Sequence, residues 1–210
     1  MSTVCLSFDF DAMSVWFSYK HVTPAMLYRG EYGANVGVPR LLDLLARYNI
    51  KSTFFIPGHT IESFPEPVEA ILAAGHEVAH HSYAHIDPSE QSPDEERADM
   101  ERALRVLEKI GVKPLGFRSP SADYSAVTLS LLEEYGFRSS RLSSRVGPLV
   151  FGNFPCVSSL TIGCIFNSIS THIVMAHRPP AKCSKFGPKK LTGCIKTWWM
   201  AFLPLPCTLK

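Results

Sequence analysis

Short apolar runs of period two alternate with stretches of helical period from residue 3 to residue 137. Residues 3–8 put Val4, Leu6 and Phe8 on one side and Cys5, Ser7 and then Asp9 on the other, which is the pattern of a strand. A loop rich in aromatics and glycine, 16–37, follows. Residues 38–48 carry Leu41, Leu42, Leu44 and Leu45 at helical spacing, and the β-branched and aromatic run 52–56, stopped by Pro57 and Gly58, reads as the next strand. The rhythm repeats with a helix at 65–74 stopped by Gly75 and a short strand at 77–79. Ser92 as N-cap, Pro93 at the first position and acids in the first turn then open a long amphipathic helix that ends near Gly111. Residues 115–118 suggest another strand, and 125–135 another helix, ended by Gly136. Strands that alternate with helices pair in parallel through crossovers, so the expected class is α/β, as a sheet or a barrel.

Beyond residue 138 that rhythm stops. Residues 149–154 and 173–175 read as strands, but no capped amphipathic helix separates them, and Pro179, Pro180, Pro188, Pro204 and Pro206 punctuate the rest. The composition changes at the same place. All 19 acidic residues lie at or before Glu134, so twelve Lys or Arg leave residues 1–138 at −7, whereas residues 139–210 carry nine Lys or Arg and no acid, for +9. Five of the six cysteines also lie in the second part. The division expected is therefore a domain over 1–138 and an aberrant, basic, acid-free tail over 139–210, disordered or read from a shifted frame, a retained intron or an alternative exon. The bland alternative is a genuine basic extension. The gene's other two frames past codon 138 decide between them, since a shifted frame requires one of them to continue the barrel.

A chain of 210 residues with 46% hydrophobic content supports one well-buried core and is short for two domains. A formal charge of +2 argues against a nucleic-acid-binding role for the whole chain. Met1 leads straight into the alternating run, with no basic segment and no long apolar segment of a secretory signal, and the apolar stretch 197–205 is shorter than the ~20 residues of a membrane span. A cytoplasmic location, no membrane partner and unpaired thiols are the resulting expectations.

Asp9 and Asp11 stand two apart at the end of the first strand, which directs both to one face if the strand continues. Two carboxylates on an interior face repel unless a cation or base joins them, although the pair taken alone fits a solvated turn better. His81 and His85 supply a partner: at i and i+4 they share a face if the segment makes a helical turn, a spacing suited to chelation, although a lone His pair is more often incidental. With Asp11 they make three protein ligands and leave a position for water, as in a catalytic metal site. Arg118, at the end of another strand and followed by Ser119 and Pro120, is suited to holding a neighbouring carboxylate ionised and oriented, as a general base requires. By itself it reads equally as a surface arginine before a turn.

Taken in order, the runs Ser7-Phe8-Asp9-Phe10-Asp11, Ser52-Thr53-Phe54-Phe55-Ile56-Pro57-Gly58-His59, His81-Ser82-Tyr83-Ala84-His85 and Arg118-Ser119-Pro120 resemble the successive motifs of the polysaccharide deacetylase (NodB-homology) family. Trp16, the loop Arg29-Gly30-Glu31-Tyr32-Gly33 and Ala74-Gly75-His76-Glu77 are similar to its intracellular branch of peptidoglycan-deacetylase-like and allantoinase-like proteins. The resemblance covers residues 3–137. It implies a distorted (β/α) barrel, incomplete here after about residue 138, with Asp9 as catalytic base, Arg118 as its tether, and Asp11, His81 and His85 as ligands of a divalent metal, usually zinc. Trp16, Tyr32, His59 and Pro120 become substrate-pocket residues by the same resemblance, although Trp16, Tyr32 and His59 serve packing equally well.

The implied activity is metal-dependent hydrolysis of linear amides, deacetylating an N-acetylated carbohydrate. The alternatives are hydrolysis of a cyclic amide of the allantoin type and an inactive, truncated product. The family's late histidine, a general acid toward the leaving amine, has no clear counterpart: His177 after the run 173–176 imitates one but stands close to Arg118 in sequence, and His172 is the weaker candidate. A barrel without its last repeats leaves strand edges unpaired and apolar faces open, so weak stability and little turnover are expected of this chain.

Overall fold

The computed structural model describes residues 2–141, 157–161 and 169–177. Strand β1 (Ser2–Phe10) is followed by a 3₁₀ turn (Ser14–Trp16), helix α1 (Pro24–Tyr32), a π-helical turn (Gly33–Gly37) and α2 (Val38–Arg47). Then come β2 (Thr53–Ile56), α3 (Gly58–Ser63), α4 (Pro65–Ala73), β3 (Glu77–His80), α5 (Pro93–Lys109), β4 (Gly116–Arg118), α6 (Thr128–Glu134) and β5 (Ser139–Arg141). Two further strands, β6 (Val157–Thr161) and β7 (Ile169–His177), complete the described elements.

The strands form one sheet in the order β5-β4-β3-β2-β1-β7-β6. Strands β1 to β5 are parallel and sequential neighbours, with Phe8 beside Phe54, Phe54 beside Val78 and His80 beside Phe117. Each step of this half-barrel carries its helix or helices between strands, as expected of an α/β chain that curls toward a barrel. On the other edge of β1 the sense changes: β7 runs antiparallel to β1, and β6 antiparallel to β7. Of the two strands expected in the tail, 173–175 falls inside β7, and 149–154 lies outside the described residues.

Helix α5 shows how closely its start follows from local chemistry. The Ser92 hydroxyl accepts from the Glu95 N–H while the Glu95 carboxylate accepts from the Ser92 N–H at 2.8 Å, a reciprocal capping box ahead of Pro93. Gly75 and Gly136, at φ +72° and +73°, take up the left-handed turn past the ends of α4 and α6. The main core lies where Phe8, Phe10, Phe54, Ile56 and Val78 of β1–β3 meet Leu45 of α2, Val68 and Ile71 of α4 and Ala103, Val106 and Leu107 of α5. A second cluster joins Phe117 and Phe137 to Leu131 and Leu132 of α6 and Met100 of α5. Burial of these faces, at roughly 25 cal/mol per Å² of apolar surface, is what orders the strand ends that carry the polar residues.

Two segments depart from expectation. The stretch 16–37, read as loop, contains α1, started by the Thr23 hydroxyl accepting from Met26 N–H at 3.3 Å and by Pro24 at the first position. Its glycine is needed: a Cβ on Gly30 would stand 2.7 Å from Met13 N and 2.8 Å from the Ala12 carbonyl carbon. Residues 81–87 make no helical turn, contrary to the expectation for His81 and His85; Ser82 and His85 instead take φ of 60° and 57°. Among the described residues no helix is long and apolar enough to cross a membrane.

Candidate metal centre

The parallel strand ends bring together Asp9 from β1, Asp11 from just past it, His81 from just past β3 and Arg118 from β4, all buried. Asp9 and Asp11 are 6% and 5% exposed, which rules out the solvated turn that the pair alone suggested. Burial of two carboxylates this close in sequence needs compensating charge, and each has found a different partner.

Asp9 is paired with the guanidinium of Arg118, whose Nη1 donates to Asp9 Oδ1 and whose Nη2 donates to Ser7 Oγ at 2.7 Å. The guanidinium carbon also lies 3.9 Å from the centre of the Phe55 ring, so the arginine is fixed from below by a cation–π contact. Both halves of the base-and-tether pair expected from the sequence are thus together.

Asp11 faces the two histidines. His81 Nε2 lies 3.4 Å from Asp11 Oδ1, and His85 Nε2 lies 3.8 Å from Asp11 Oδ2. The two imidazole rings are 4.9 Å apart and nearly perpendicular. One potential ligand atom from each of Asp11, His81 and His85 lies within 4.8 Å of the others. His81 Nδ1 donates to the Arg118 carbonyl at 2.7 Å, which leaves Nε2 as the nitrogen turned to the centre, the usual way a protein fixes the tautomer of a ligating histidine. Asp11 Oδ1 is buried with no hydrogen-bond partner among the described residues. A carboxylate oxygen in that position and two convergent imidazole nitrogens fit a divalent cation held by three protein ligands.

The electrostatics agree. Burial lowers the affinity of His81 for a proton, but Asp11 and Asp9 together outweigh it and leave His81 above the ordinary imidazole value. Burial prevails at His85 and lowers it, with Asp11 opposing. The carboxylates thus favour positive charge at this place, and binding of a cation by imidazole nitrogens is coupled to loss of any proton they carry.

The loop that follows Asp11 is tied to the same place. Thr60 Oγ1 donates to the Asp11 carbonyl at 2.6 Å and lies 3.0 Å from Ser14 Oγ, while Ser18 Oγ donates to the His85 carbonyl at 3.0 Å. His59, expected in a substrate pocket, sits on α3 with its Nδ1 3.4 Å from Ser14 Oγ and its ring edge-on to Phe17 at 4.6 Å. Burial lowers its proton affinity, with Glu62 opposing. Trp16 is half-buried with its ring 5.4 Å from that of Tyr19, and Pro120 is buried two residues after Arg118. Tyr32 stands exposed at the end of α1.

The two late histidines lie on β7, which pairs with β1 in a fixed register. His177 pairs with Ser2, seven residues along β1 from Asp9 and so roughly 23 Å away at ~3.3 Å per residue. That register sets the backbone of His177 at the far end of β1 from Asp9. His172 pairs with Ser7, two residues from Asp9.

Sequence reasoning passed over His80 and Asp99. His80 is fully enclosed: its Nε2 donates to the Met100 carbonyl at 3.3 Å, its Nδ1 accepts from Ser82 N–H at 3.2 Å, and burial pushes its pKa down to about 4. Asp99 accepts from the backbone N–H groups of Tyr83 and Ala84 at 2.8 and 3.2 Å. Its signal was present, because Asp99 lies on the same helical stripe as the buried Met100, Ala103 and Val106, where an acid needs a partner.

Known proteins are similar to the part of the chain that carries these residues. The polysaccharide deacetylase family profile matches residues 10–140. The chain is 35% identical over 138 residues to a peptidoglycan deacetylase of Helicobacter pylori, covering 64% of this chain and 47% of that protein. A Mycobacterium smegmatis structure solved as a candidate polysaccharide deacetylase superposes with a TM-score of 0.62 at 35% identity, over 76% of this chain and 55% of that one. The structure of the Puue allantoinase gives a TM-score of 0.55 at 28% identity, over 66% and 44% of the two chains. The chain thus spans about half the length of the relatives it matches. A profile that covers most of the chain, together with a buried Asp-His-His centre beside an Arg-tethered carboxylate, shows that this chain belongs to the polysaccharide deacetylase family.

Proposed function

We propose that this chain carries the metal-holding and base-bearing half of a hydrolase that removes acetyl groups from an N-acetylated carbohydrate, with zinc as the cation. The observation that carries the reading is the placement of a tethered carboxylate, Asp9, next to a separate buried triad of Asp11, His81 and His85. Borderline-soft Zn²⁺ suits two imidazoles and one carboxylate better than the hard, oxygen-seeking Mg²⁺ or Ca²⁺ does. When bound, the cation supplies Lewis acidity toward water and the amide oxygen.

The chain's own residues then divide the work. Asp9 takes the proton of the attacking water, and Arg118 keeps that carboxylate aimed by holding one of its oxygens. Ser7 fixes the other arm of the guanidinium, so the tether cannot swing toward Asp11. Water adds to the carbonyl, the proton held by Asp9 passes to the departing nitrogen as the carbon–nitrogen bond breaks, and acetate and a free amine are released with Asp9 again ionised. Trp16 and His59, beside the loops that follow Asp11 and β2, are suited to bordering the sugar.

A second reading, ring opening of a small cyclic amide, is favoured by the likeness to the Puue allantoinase. Incubating the full chain with zinc and either chito-oligosaccharide or allantoin separates the two. Slow acetate release that is lost in Asp9→Asn supports deacetylation; allantoin consumption without acetate release replaces it with the second reading. Acetate release at an equal rate in Asp9→Asn would rule out the assigned base.

A further inference from the structure

Two ligands of the centre, His81 and His85, sit in a loop with no regular structure, and two of its residues hold a backbone that L-amino acids seldom adopt. Ser82 and His85 have φ of 60° and 57°, a conformation that costs on the order of 1 kcal/mol or more for a residue with a Cβ. Such a loop keeps one shape only if something outside it over-determines that shape.

The support comes from α5. Between the two histidines, Tyr83 and Ala84 direct consecutive N–H groups at the two oxygens of one carboxylate, at 2.8 Å to Asp99 Oδ2 and 3.2 Å to Asp99 Oδ1. The next residue of the helix contributes as well, since the Met100 carbonyl accepts from His80 Nε2 while His80 Nδ1 accepts from Ser82 N–H. The Ser82 hydroxyl closes the turn by accepting from His85 N–H at 2.8 Å. The other side of the loop is tied to α3, where the Ser82 and Tyr83 carbonyls accept from Gly58 and His59 N–H at 3.0 and 2.9 Å.

The geometry points to Asp99 as a positioning residue for the metal centre, whose carboxylate holds the 82–85 backbone in the shape that aims His81 and His85 at Asp11. The inference rests on the metal-centre reading above. Both hydrogen bonds of Asp99 go to the backbone between the two histidines, so it acts on the ligands through the loop. Its two oxygens are both used, which makes the chemistry specific: an amide offers one acceptor and would turn an N–H donor toward one of the two backbone N–H groups.

The test compares Asp99→Asn, Asp99→Glu and a control, Leu132→Ala, which truncates the α6 side of the second core cluster and lowers stability while removing none of the hydrogen bonds that hold the loop. Zinc affinity of the full chain is measured by competition with a chelating dye, and amide hydrogen exchange at Tyr83 and Ala84 by NMR in the metal-free protein. Asp99→Asn is expected to weaken zinc binding by about 10- to 100-fold, the usual range for a lost outer-shell partner, and to speed exchange at those two amides at least tenfold. Asp99→Glu, which keeps both oxygens one methylene further out, should recover part of both losses, and Leu132→Ala should lose neither beyond its general destabilisation. Wild-type zinc affinity in Asp99→Asn, or a loss no greater than that of Leu132→Ala, overturns the inference. If Asp99→Asn does not fold, Asp99→Glu decides: a few-fold weaker zinc binding with faster exchange supports it, and equality with wild type overturns it. If the wild-type chain binds no zinc, the metal-centre reading falls by itself, and exchange at Tyr83 and Ala84 still decides whether Asp99 holds the loop.

Discussion

His81 and Arg118 are joined by a 2.7 Å hydrogen bond from the imidazole Nδ1 to the arginine's backbone carbonyl, while the same arginine's guanidinium holds Asp9. One residue at the end of β4 therefore orients both a proposed metal ligand, through its main chain, and the proposed base, through its side chain. The two roles are separable by mutation, because a substitution removes the guanidinium and leaves the carbonyl.

Arg118→Lys should lower kcat for deacetylation by about 100-fold, within the range usual for a lost general base, with zinc still bound near one per chain. A lysine ammonium cannot reproduce the fork that reaches Asp9 and Ser7 together while stacking on Phe55. Steady-state acetate release with parallel zinc determination checks this; loss of zinc in step with activity would mean that the side chain also supports the ligands.

Gly30→Ala should destabilise the fold by about 1–3 kcal/mol, the usual cost of overpacking, and weaken zinc binding too. The added Cβ would press on backbone atoms of Ala12 and Met13, immediately after Asp11, where Ala12 already holds a φ of 48°. Urea unfolding of the metal-free protein measures the first effect and dye competition the second. An unchanged urea midpoint would show that α1 shifts freely relative to the Asp11 loop.

His80 makes the fold acid-sensitive. Its pKa falls from 6.5 to about 4 on folding because burial disfavours the imidazolium, so the stability it contributes is complete above pH 6.5 and is lost as pH falls from there toward 4. His81 works in the opposite sense, since its raised value favours the folded state at low pH and that contribution fades as pH rises through it. The comparison must therefore isolate His80. Asn at this position keeps an acceptor for Ser82 N–H and does not titrate, so between pH 7 and pH 5 wild type should lose about 2 kcal/mol more than His80→Asn, at ~1.4 kcal/mol per pH unit. Parallel pH profiles of urea unfolding would contradict the assignment.

The parts of this structure that were legible in the sequence are those written in local chemistry. The Ser92–Glu95 box and Pro93 mark the start of α5 without any tertiary information, and the alternation around Val4, Leu6 and Phe8 marks β1. The proximity of Asp11 to His81 and His85, and of Asp9 to Arg118, was legible through the order of motifs in the family that the sequence resembles, before any distance was known. Helix α1 was not, because Tyr28, Gly30 and Tyr32 are poor helix formers and the segment is held by the Thr23 cap and by the close approach of Gly30 to Met13. The shape of the His81–His85 loop was equally hidden. Its convergence comes from Asp99 and His80 reaching in from elsewhere, and spacing alone suggested a helical turn that does not form. Nor did spacing show that the register of β7 sets His177 at the Ser2 end of β1, far from Asp9.

The most direct measurement is the zinc content of the full chain after equilibrium dialysis, set beside Asp11→Ala and His81→Ala. About one zinc per chain in wild type, and close to none in either variant, is the expected result. Wild type without zinc, or variants that retain as much as wild type, would contradict a cation held by Asp11, His81 and His85.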